Sequence, residues 1–309
     1  MYGWRGRIAF LSPSRGEAMV YEFYRLGLEG VLFLNTTGTV RALRDRDLET
    51  QLQALEAAAR DVAPERPDVI VAGGSPLVTM QGYGSEERIA ARLTAACGIP
   101  CVTGIQLEVE ALRAVGSRRP VIASPYPPEL DERLVRYLGQ AGFEVQGCKG
   151  LGIVDNAEIG LLPVHAALRA GREAAAMAPR ADAIFLPCGR WPTLDAVVQL
   201  EQDLGLPVVS SAVAIFHGAL LRVGVRDRFD AWGSLLRRLG PREVLAGSTG
   251  EPRRETPDAP DGQPRTPDGQ PRTPDGEPRT PDGRPRQAAA ANGDVAAAAD
   301  GQPAAARVR

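Results

Sequence analysis

Short, mostly apolar runs alternate along this chain with longer stretches in which apolar residues recur every three or four positions. The short runs are Arg7 to Pro13, Val31 to Thr36, Val69 to Gly73, Pro100 to Thr103, Pro120 to Ser124, Glu144 to Cys148, Ala183 to Pro187 and Pro207 to Ser210. Runs of this length without polar alternation predict strands buried on both faces. Between them, Asp47 to Val62 carries Leu48, Leu52, Leu55, Ala59 and Val62 on one helical face, and Pro128 to Ala141 carries Leu130, Leu134 and Leu138. Ser85 to Cys97, Leu107 to Val115 and Leu161 to Met177 read as further helices. Strands alternating with amphipathic helices predict an α/β fold, with parallel sheets covered by helices.

The second half echoes the first. Ile8-Ala-Phe-Leu-Ser12-Pro13 matches Val121-Ile-Ala-Ser124-Pro125, and Val69-Ile-Val-Ala-Gly-Gly74 matches Ile184-Phe-Leu-Pro-Cys188-Gly189 in placement. Gly98-Ile-Pro-Cys-Val-Thr103 matches Gly205-Leu-Pro-Val-Val-Ser210, and all the offsets are a little over one hundred residues. An internal duplication predicts two lobes related by a pseudo-twofold, with equivalent strand ends facing each other across a cleft. The first lobe is expected over residues 1–115, completed by about 211–245, and the second over 116–210. Gly74 and Cys188 would then stand on opposite walls.

The richest chemistry lies at Asp182-Ala-Ile-Phe-Leu-Pro-Cys188-Gly189-Arg190-Trp191-Pro192-Thr193. It reads as a buried strand, a sharp bend, and a helix with Leu194, Val197, Val198 and Leu204 as its apolar stripe. Open α/β sheets place ligands at such strand ends. A cysteine there lies beside helix N-terminal amides without intrahelical partners, which can hold an anion. The thiol can act as acid, base or nucleophile; a packed, inert core cysteine is the plain alternative.

The other cysteines add no metal site. Cys97 and Cys101 are separated by Gly-Ile-Pro, Cys101 and Cys148 lie in strand-like runs as packed core thiols, and the two histidines, His165 and His217, have no motif around them. No zinc spacing can be assembled from this set. Gly73-Gly74-Ser75 lacks the spacing of a Rossmann or P-loop nucleotide site.

Thirty-six Lys and Arg against 38 Asp and Glu leave a formal charge of -2, which argues against a nucleic-acid partner. No run approaches the length needed to cross a bilayer, and Ile8 to Leu11 is too short for a signal segment. A cytoplasmic protein is expected, as a monomer or small homo-oligomer. From about Gly250 the composition changes. Thr266-Pro-Asp-Gly-Gln-Pro-Arg recurs from Thr273 and from Thr280 with a seven-residue period and no large apolar side chain. Such a segment cannot bury a core, so residues 250–309 are expected to form a disordered tail.

Gly74-Ser75-Pro76-Leu77, Ser124-Pro125-Tyr126, Gly147-Cys148-Lys149-Gly150-Leu151-Gly152-Ile153, Cys188-Gly189 with Thr193-Leu194-Asp195-Ala196, and Pro207-Val208-Val209-Ser210-Ser211 together resemble the arylmalonate decarboxylase and maleate cis–trans isomerase branch of the aspartate/glutamate racemase superfamily. The resemblance covers about residues 7 to 240. It implies two flavodoxin-like lobes, a cofactor-independent site between them and a small dicarboxylate substrate. Racemases and isomerases of the group use two facing cysteines, whereas the decarboxylase keeps only the second-lobe one opposite a glycine. Gly74 and Cys188 follow the decarboxylase pattern. The resemblance thus implies loss of CO2 from a malonate-type diacid, an enediolate, and proton delivery by Cys188.

Candidate donors to that enediolate are the amides of Ser75, Gly189 and Arg190 and the hydroxyls of Ser75 and Tyr126. Leu77 and Pro13 are expected to line the site. Three departures from the decarboxylase stand out. Pro76 replaces a small hydroxyl residue and removes an amide. Arg190 replaces a glycine, and either clamps a second carboxylate or points to solvent. Asn156 falls where the decarboxylase lines an apolar pocket, in a stretch more like the isomerase. Ser14 either binds a carboxylate or caps a turn. An isomerase or racemase acting on a small dicarboxylate, and a non-catalytic dicarboxylate-binding homologue, remain as alternatives.

Overall fold

The computed structural model describes residues 2–239, which fall within one compact unit; the tail expected over 250–309 lies outside the described residues. In chain order the first half contains β1 (Gly6–Ser12), α1 (Glu17–Arg25), β2 (Val31–Thr37), α2 (Asp45–Val62), β3 (Val69–Ala72), α3 (Ser75–Thr79), α4 (Ser85–Cys97), β4 (Cys101–Thr103) and α5 (Gly104–Ala114). The second half contains β5 (Pro120–Ser124), α6 (Pro128–Gln140), β6 (Cys148–Gly150), α7 (Asn156–Gly160), α8 (Val164–Met177), β7 (Ala183–Leu186), α9 (Leu194–Leu204), β8 (Val208–Ser210), α10 (Ser211–Arg222) and α11 (Gly233–Arg237).

The strands form two parallel four-stranded sheets, ordered β2-β1-β3-β4 and β6-β5-β7-β8. Replacing each first-half strand by its repeat converts one order into the other, as a duplication requires. The central strands β3, β5 and β7 are buried at every residue, which is why they read as unbroken apolar runs. In each sheet the connections leave in opposite directions from the two middle strands. Open α/β sheets gather ligands at that switch point, beyond the strands' C-terminal ends. The loops after β1, β3, β5 and β7 are therefore the ones positioned for chemistry.

Several elements differ from the sequence reading for identifiable reasons. The strand expected at Glu144 to Cys148 begins at Cys148. The preceding residues already run beside the chain leading into β5, with Glu144 N–H on Arg118 O and Gln146 N–H on Pro120 O, both 2.9 Å. The helix expected at Leu161 to Met177 begins only at Val164, because Pro163 stands at its N-cap, and a separate short helix, α7, ends before it at Gly160. Leu204 is exposed at the end of α9, and Leu200 takes its place in the buried stripe. Cys101 and Cys148, at strand starts, are half-buried and pack against the edge of the core rather than inside it. Helix α10 gave no periodic signal, since every residue from Ser211 to Leu220 is buried and a helix buried all round has no polar face. It lies against α5, α1 and β3 as well as β8.

One contact between the halves fixes the segment that carries Cys188. Helix α9 has no side-chain cap of its own. Glu22, on α1, supplies one: its Oε1 accepts the N–H groups of Thr193 at 2.7 Å and Leu194 at 2.8 Å. One turn along α1, Arg25 pairs bidentately with Asp195 at 2.8 and 2.7 Å and lies over the Trp232 ring. Glu22 is buried, and desolvation outweighs the two amide bonds, pushing its carboxyl from 4.5 up to about 7.

The folded protein thus holds this proton up to about pH 7, whereas the unfolded chain releases it near 4.5. The associated stabilisation is complete below pH 4.5 and is lost as pH rises through 7. Glu22→Gln keeps an oxygen for the two amides and cannot ionise. Between pH 4.5 and 8 the unmodified protein should lose up to about 3 kcal/mol relative to this variant, read by urea denaturation at both pH values. Identical pH slopes for the two proteins would show that Glu22 does not hold the proton.

Candidate active site

Helix α9 cannot begin directly from β7, because Pro187-Cys188-Gly189 must turn the chain sharply out of the sheet. Cys188 does so with φ at +89°, in the left-handed half of backbone space where a side chain is strained. The repeat position behaves identically: Gly74, after β3, has φ of +86°. The same bend occurs twice, once with glycine and once with a cysteine that bears strain of order 1–3 kcal/mol. A Cβ at Gly189 would fall 2.5 Å from Met19 Cε, so a larger residue there would require the Met19 side chain to shift.

Cys188 is 9 % exposed. Burial pushes its thiol above the ordinary value, opposed by hydrogen bonds from the Arg190 N–H, the Tyr126 hydroxyl and the Trp191 N–H. The thiol is therefore protonated at neutral pH, and the same donors would stabilise a thiolate. Of the amides weighed as enediolate donors, that of Arg190 is thus directed at the sulfur. Tyr126 is buried, and its phenol is pushed well above its usual value, chiefly by burial. It is held by a short chain: Ser124 Oγ accepts the Tyr126 N–H at 3.1 Å and donates to Asp131. Desolvation pushes the Asp131 carboxyl up to about 6.

A cavity of about 50 Å³ joins these groups, with room for roughly four waters. Every residue singled out from the sequence lines it: Cys188, Tyr126, Ser75, Gly74, Pro76, Leu77, Pro13, Ser14, Asn156, Gly189 and Arg190. Phe10, Val40, Leu43, Leu48 and Ile215 supply the apolar remainder, and Glu108 and Ser211 a further polar wall. A wider open groove of about 690 Å³ runs outside, past Asp131, Glu132, Arg136 and Cys148, and reaches the site only at Tyr126. Among the described residues no three His, Cys, Asp or Glu side chains cluster as metal ligands would.

The departures also find their places. Pro76 sits in the first turn of α3, where a proline is tolerated because its missing amide would have no helical partner. Arg190 turns inward with its side chain 12 % exposed, its Nη2 2.9 Å from Glu17 Oε1 and its Nη1 donating to Ser14 Oγ at 3.3 Å. Its buried Nε has no partner among the described residues. Gly160 makes this possible, since a Cβ there would fall 2.9 Å from that Nε. Asn156 donates from Nδ2 to Val40 O at 3.1 Å and from its backbone N–H to Arg41 O at 2.8 Å, tying the halves together at one end of the cavity.

Glu108 is the functional candidate that sequence reasoning missed. Its carboxylate accepts hydrogen bonds from the Ser75 and Ser211 hydroxyls. A signal was present: Glu108 occupies the stripe of α5 that Ile105 and Leu112 otherwise keep apolar. The repeat offset that pairs Thr103 with Ser210 also pairs Glu108 with Ile215, another residue of the cavity wall.

Two doubly wound parallel sheets with a strained, buried thiol at one switch point define a two-lobed, flavodoxin-like α/β protein. The family model for arylmalonate decarboxylase matches residues 15–236, and the chain belongs to that family. It is 31 % identical to the arylmalonate decarboxylase of Bordetella bronchiseptica over 166 residues, which is 54 % of this chain and 69 % of that protein. With the maleate isomerase of Geobacillus stearothermophilus it shares 27 % over 244 residues, 74 % of this chain and 96 % of that one. Among solved structures, the maleate cis–trans isomerase of Nocardia farcinica with a covalently bound succinylcysteine intermediate has a similar fold. It superposes with a TM-score of 0.71 at 24 % identity over 75 % of this chain and 98 % of that one. A crystal structure of arylmalonate decarboxylase gives 0.62 at 25 % identity over 74 % and 98 %.

The strain at Cys188 can be isolated by comparing two variants that both lack the thiol. Cys188→Gly and Cys188→Ala differ only by a Cβ. Ordinarily alanine is the more stabilising residue in regular structure. Here glycine should win by about 1 kcal/mol, since left-handed backbone disfavours the Cβ. Urea denaturation of both variants provides the check, and an alanine variant as stable as the glycine one would show that position 188 is unstrained.

Proposed function

We propose that this chain is a cofactor-independent decarboxylase of a small malonate-type diacid, with Cys188 as the proton donor to an enediolate. The observation that carries this reading is the asymmetry of the repeated bend, a buried protonated thiol at Cys188 and a glycine at Gly74. Two-sided proton transfer needs a group on each face of a planar carbanion, and one-sided protonation needs only one. The reaction begins with cleavage of a Cα–carboxylate bond, whose electron pair passes into the remaining carboxylate as CO2 leaves. The enediolate formed accepts hydrogen bonds from the Ser75 and Tyr126 hydroxyls, with the amides of Ser75 and Gly189 as further donors. Cys188 Sγ then gives its proton to the α carbon. The thiolate, held by the Arg190 and Trp191 N–H groups, regains a proton from solvent.

The polar end of the cavity bears on the substrate. Arg190 Nε is buried with no hydrogen-bond partner among the described residues, and Ser14 and Asn156 lie on the same lining. A buried guanidinium donor is best satisfied by a carboxylate. A compact diacid with a polar substituent therefore suits the site better than a bulky aryl one. The same residues favour a second reading, isomerisation of a maleate-like diacid, which the maleate isomerases among the relatives also support.

Substituted malonates and maleate, each offered to the full chain, separate the two. CO2 release from a malonate is expected, and Cys188→Ala should abolish it. Interconversion of maleate and fumarate without decarboxylation of any malonate would overturn the decarboxylase reading in favour of the isomerase.

A further inference from the structure

The buried carboxylate of Glu108 creates a problem of proton counting at the site. The side chain is 1 % exposed. Ser75 Oγ lies 2.8 Å from Oε1 and 2.7 Å from Oε2, and Ser211 Oγ bonds to Oε1. These partners are hydroxyls, and none is a cation. If Glu108 is ionised, both hydroxyl hydrogens are consumed by its oxygens and Ser75 has nothing to donate to a ligand. A negative charge would also face a dianionic substrate inside a buried cavity, where such repulsion is stronger than in bulk water.

One added proton reverses the arrangement. Oε2, which only Ser75 contacts, becomes a donor to Ser75 Oγ, while Ser211 continues to donate to Oε1. The Ser75 hydrogen is then free to turn into the cavity.

The surroundings favour the neutral acid. Burial pushes the Glu108 carboxyl up, and the hydrogen bonds from Ser211 and Ser75 offset this only in part. The ionisable groups whose fields meet it are the phenols of Tyr126 and Tyr137, both pushed upward chiefly by burial and so uncharged. Four elements pack against α5. On α10, burial pushes His217 down to about 4, leaving it neutral, and Arg222 is engaged with Glu110 at 3.0 and 2.8 Å. Strand β4 offers Cys101, a thiol pushed up to about 12, while α3 and β8 carry no ionisable side chain.

We propose that Glu108 is a positioning residue that keeps a proton on Oε2, gives it to Ser75 Oγ in a hydrogen bond, and so aims the Ser75 hydroxyl at the substrate carboxylate and the enediolate that replaces it. This rests on the reading above that Ser75 faces the reacting carboxylate. It adds a requirement to it: the site works only while a carboxyl that touches no substrate stays neutral.

The test uses the full chain with hydroxymalonate, a compact malonate with a polar substituent, and with maleate as probes, and the variants Glu108→Gln, Glu108→Ala and Ser75→Ala. Glutamine reproduces the neutral acid, with its amide donating where Oε2–H would and its oxygen accepting from Ser211. Glu108→Ala should lose on the order of a hundredfold in kcat/KM, the usual effect of losing one oxyanion donor, and Glu108→Gln should recover most of it. The unmodified protein should lose kcat/KM with rising pH as Glu108 gives up its proton, and that part of the fall should vanish in Glu108→Gln. Independently of turnover, infrared difference spectra at pH 7 should contain a protonated carboxyl band that Glu108→Gln removes.

A Glu108→Gln variant as impaired as Glu108→Ala, an unchanged pH profile in it, or an ionised Glu108 in the infrared spectrum would each overturn the proposal. Ser75→Ala separates the two readings. If it turns over either probe as the unmodified protein does, Ser75 does not face the reacting carboxylate, whatever the spectrum says of Glu108. If neither probe reacts, the decarboxylase reading loses its support while the infrared band still decides the protonation of Glu108.

Discussion

A parallel strand that delivers its C-terminal end to a ligand must bend away within two residues, and here the bend requires left-handed backbone. That constraint applies twice, because the fold is built twice. At Gly74 a residue without Cβ meets it at no steric cost. At Cys188 it is met by a side chain that is strained and buried, and that strain carries the thiol into the cavity rather than into the sheet. The placement of the thiol and the asymmetry between the two walls both follow from how one backbone geometry is accommodated on each side.

The rest of the structure holds that bend in place and sets its electrostatics. Glu22 and Arg25 reach from α1 to the start of α9, so the segment after Cys188 is anchored by the opposite half of the molecule. Asn156 closes the cavity by the same device in the other direction. Within the site, burial dominates every shifted group: it raises Cys188, Tyr126 and Glu108 together. An apolar interior thereby disfavours the anionic form of all three, and in the proposed reaction they serve as proton and hydrogen-bond donors to an anionic substrate.

Much of this was legible in the chain because the signals were local. Strands buried on both faces are written as apolar runs, and Pro120 to Ser124 coincides with β5 residue for residue. The duplication was readable because Ser12-Pro13 and Ser124-Pro125 repeat at strand ends, and it put Gly74 and Cys188 on opposite walls. The sequence echo itself aligns Cys188 with Gly73, and the strand ends, each two residues before the bend, pair it with Gly74. What escaped depends on contacts distant in sequence. Helix α10 carries no amphipathic pattern, since its environment is apolar on all sides. Glu108 was not singled out although it interrupts the apolar stripe of α5, and its hydroxyl partners come from Ser75 and Ser211, both distant in sequence. The inward turn of Arg190 likewise depends on Gly160 and Glu17, neither of which is near it in the chain.

The central claim is that protons reach the reacting carbon from the Cys188 wall alone. It is tested most directly by decarboxylating, in D2O, a malonate that bears two different α substituents. The account predicts a single enantiomer of the monoacid with one deuterium at the α carbon, and no further exchange when that product is returned to the protein. Racemic product, or product whose α position continues to exchange, would contradict it by requiring a second proton donor on the Gly74 side.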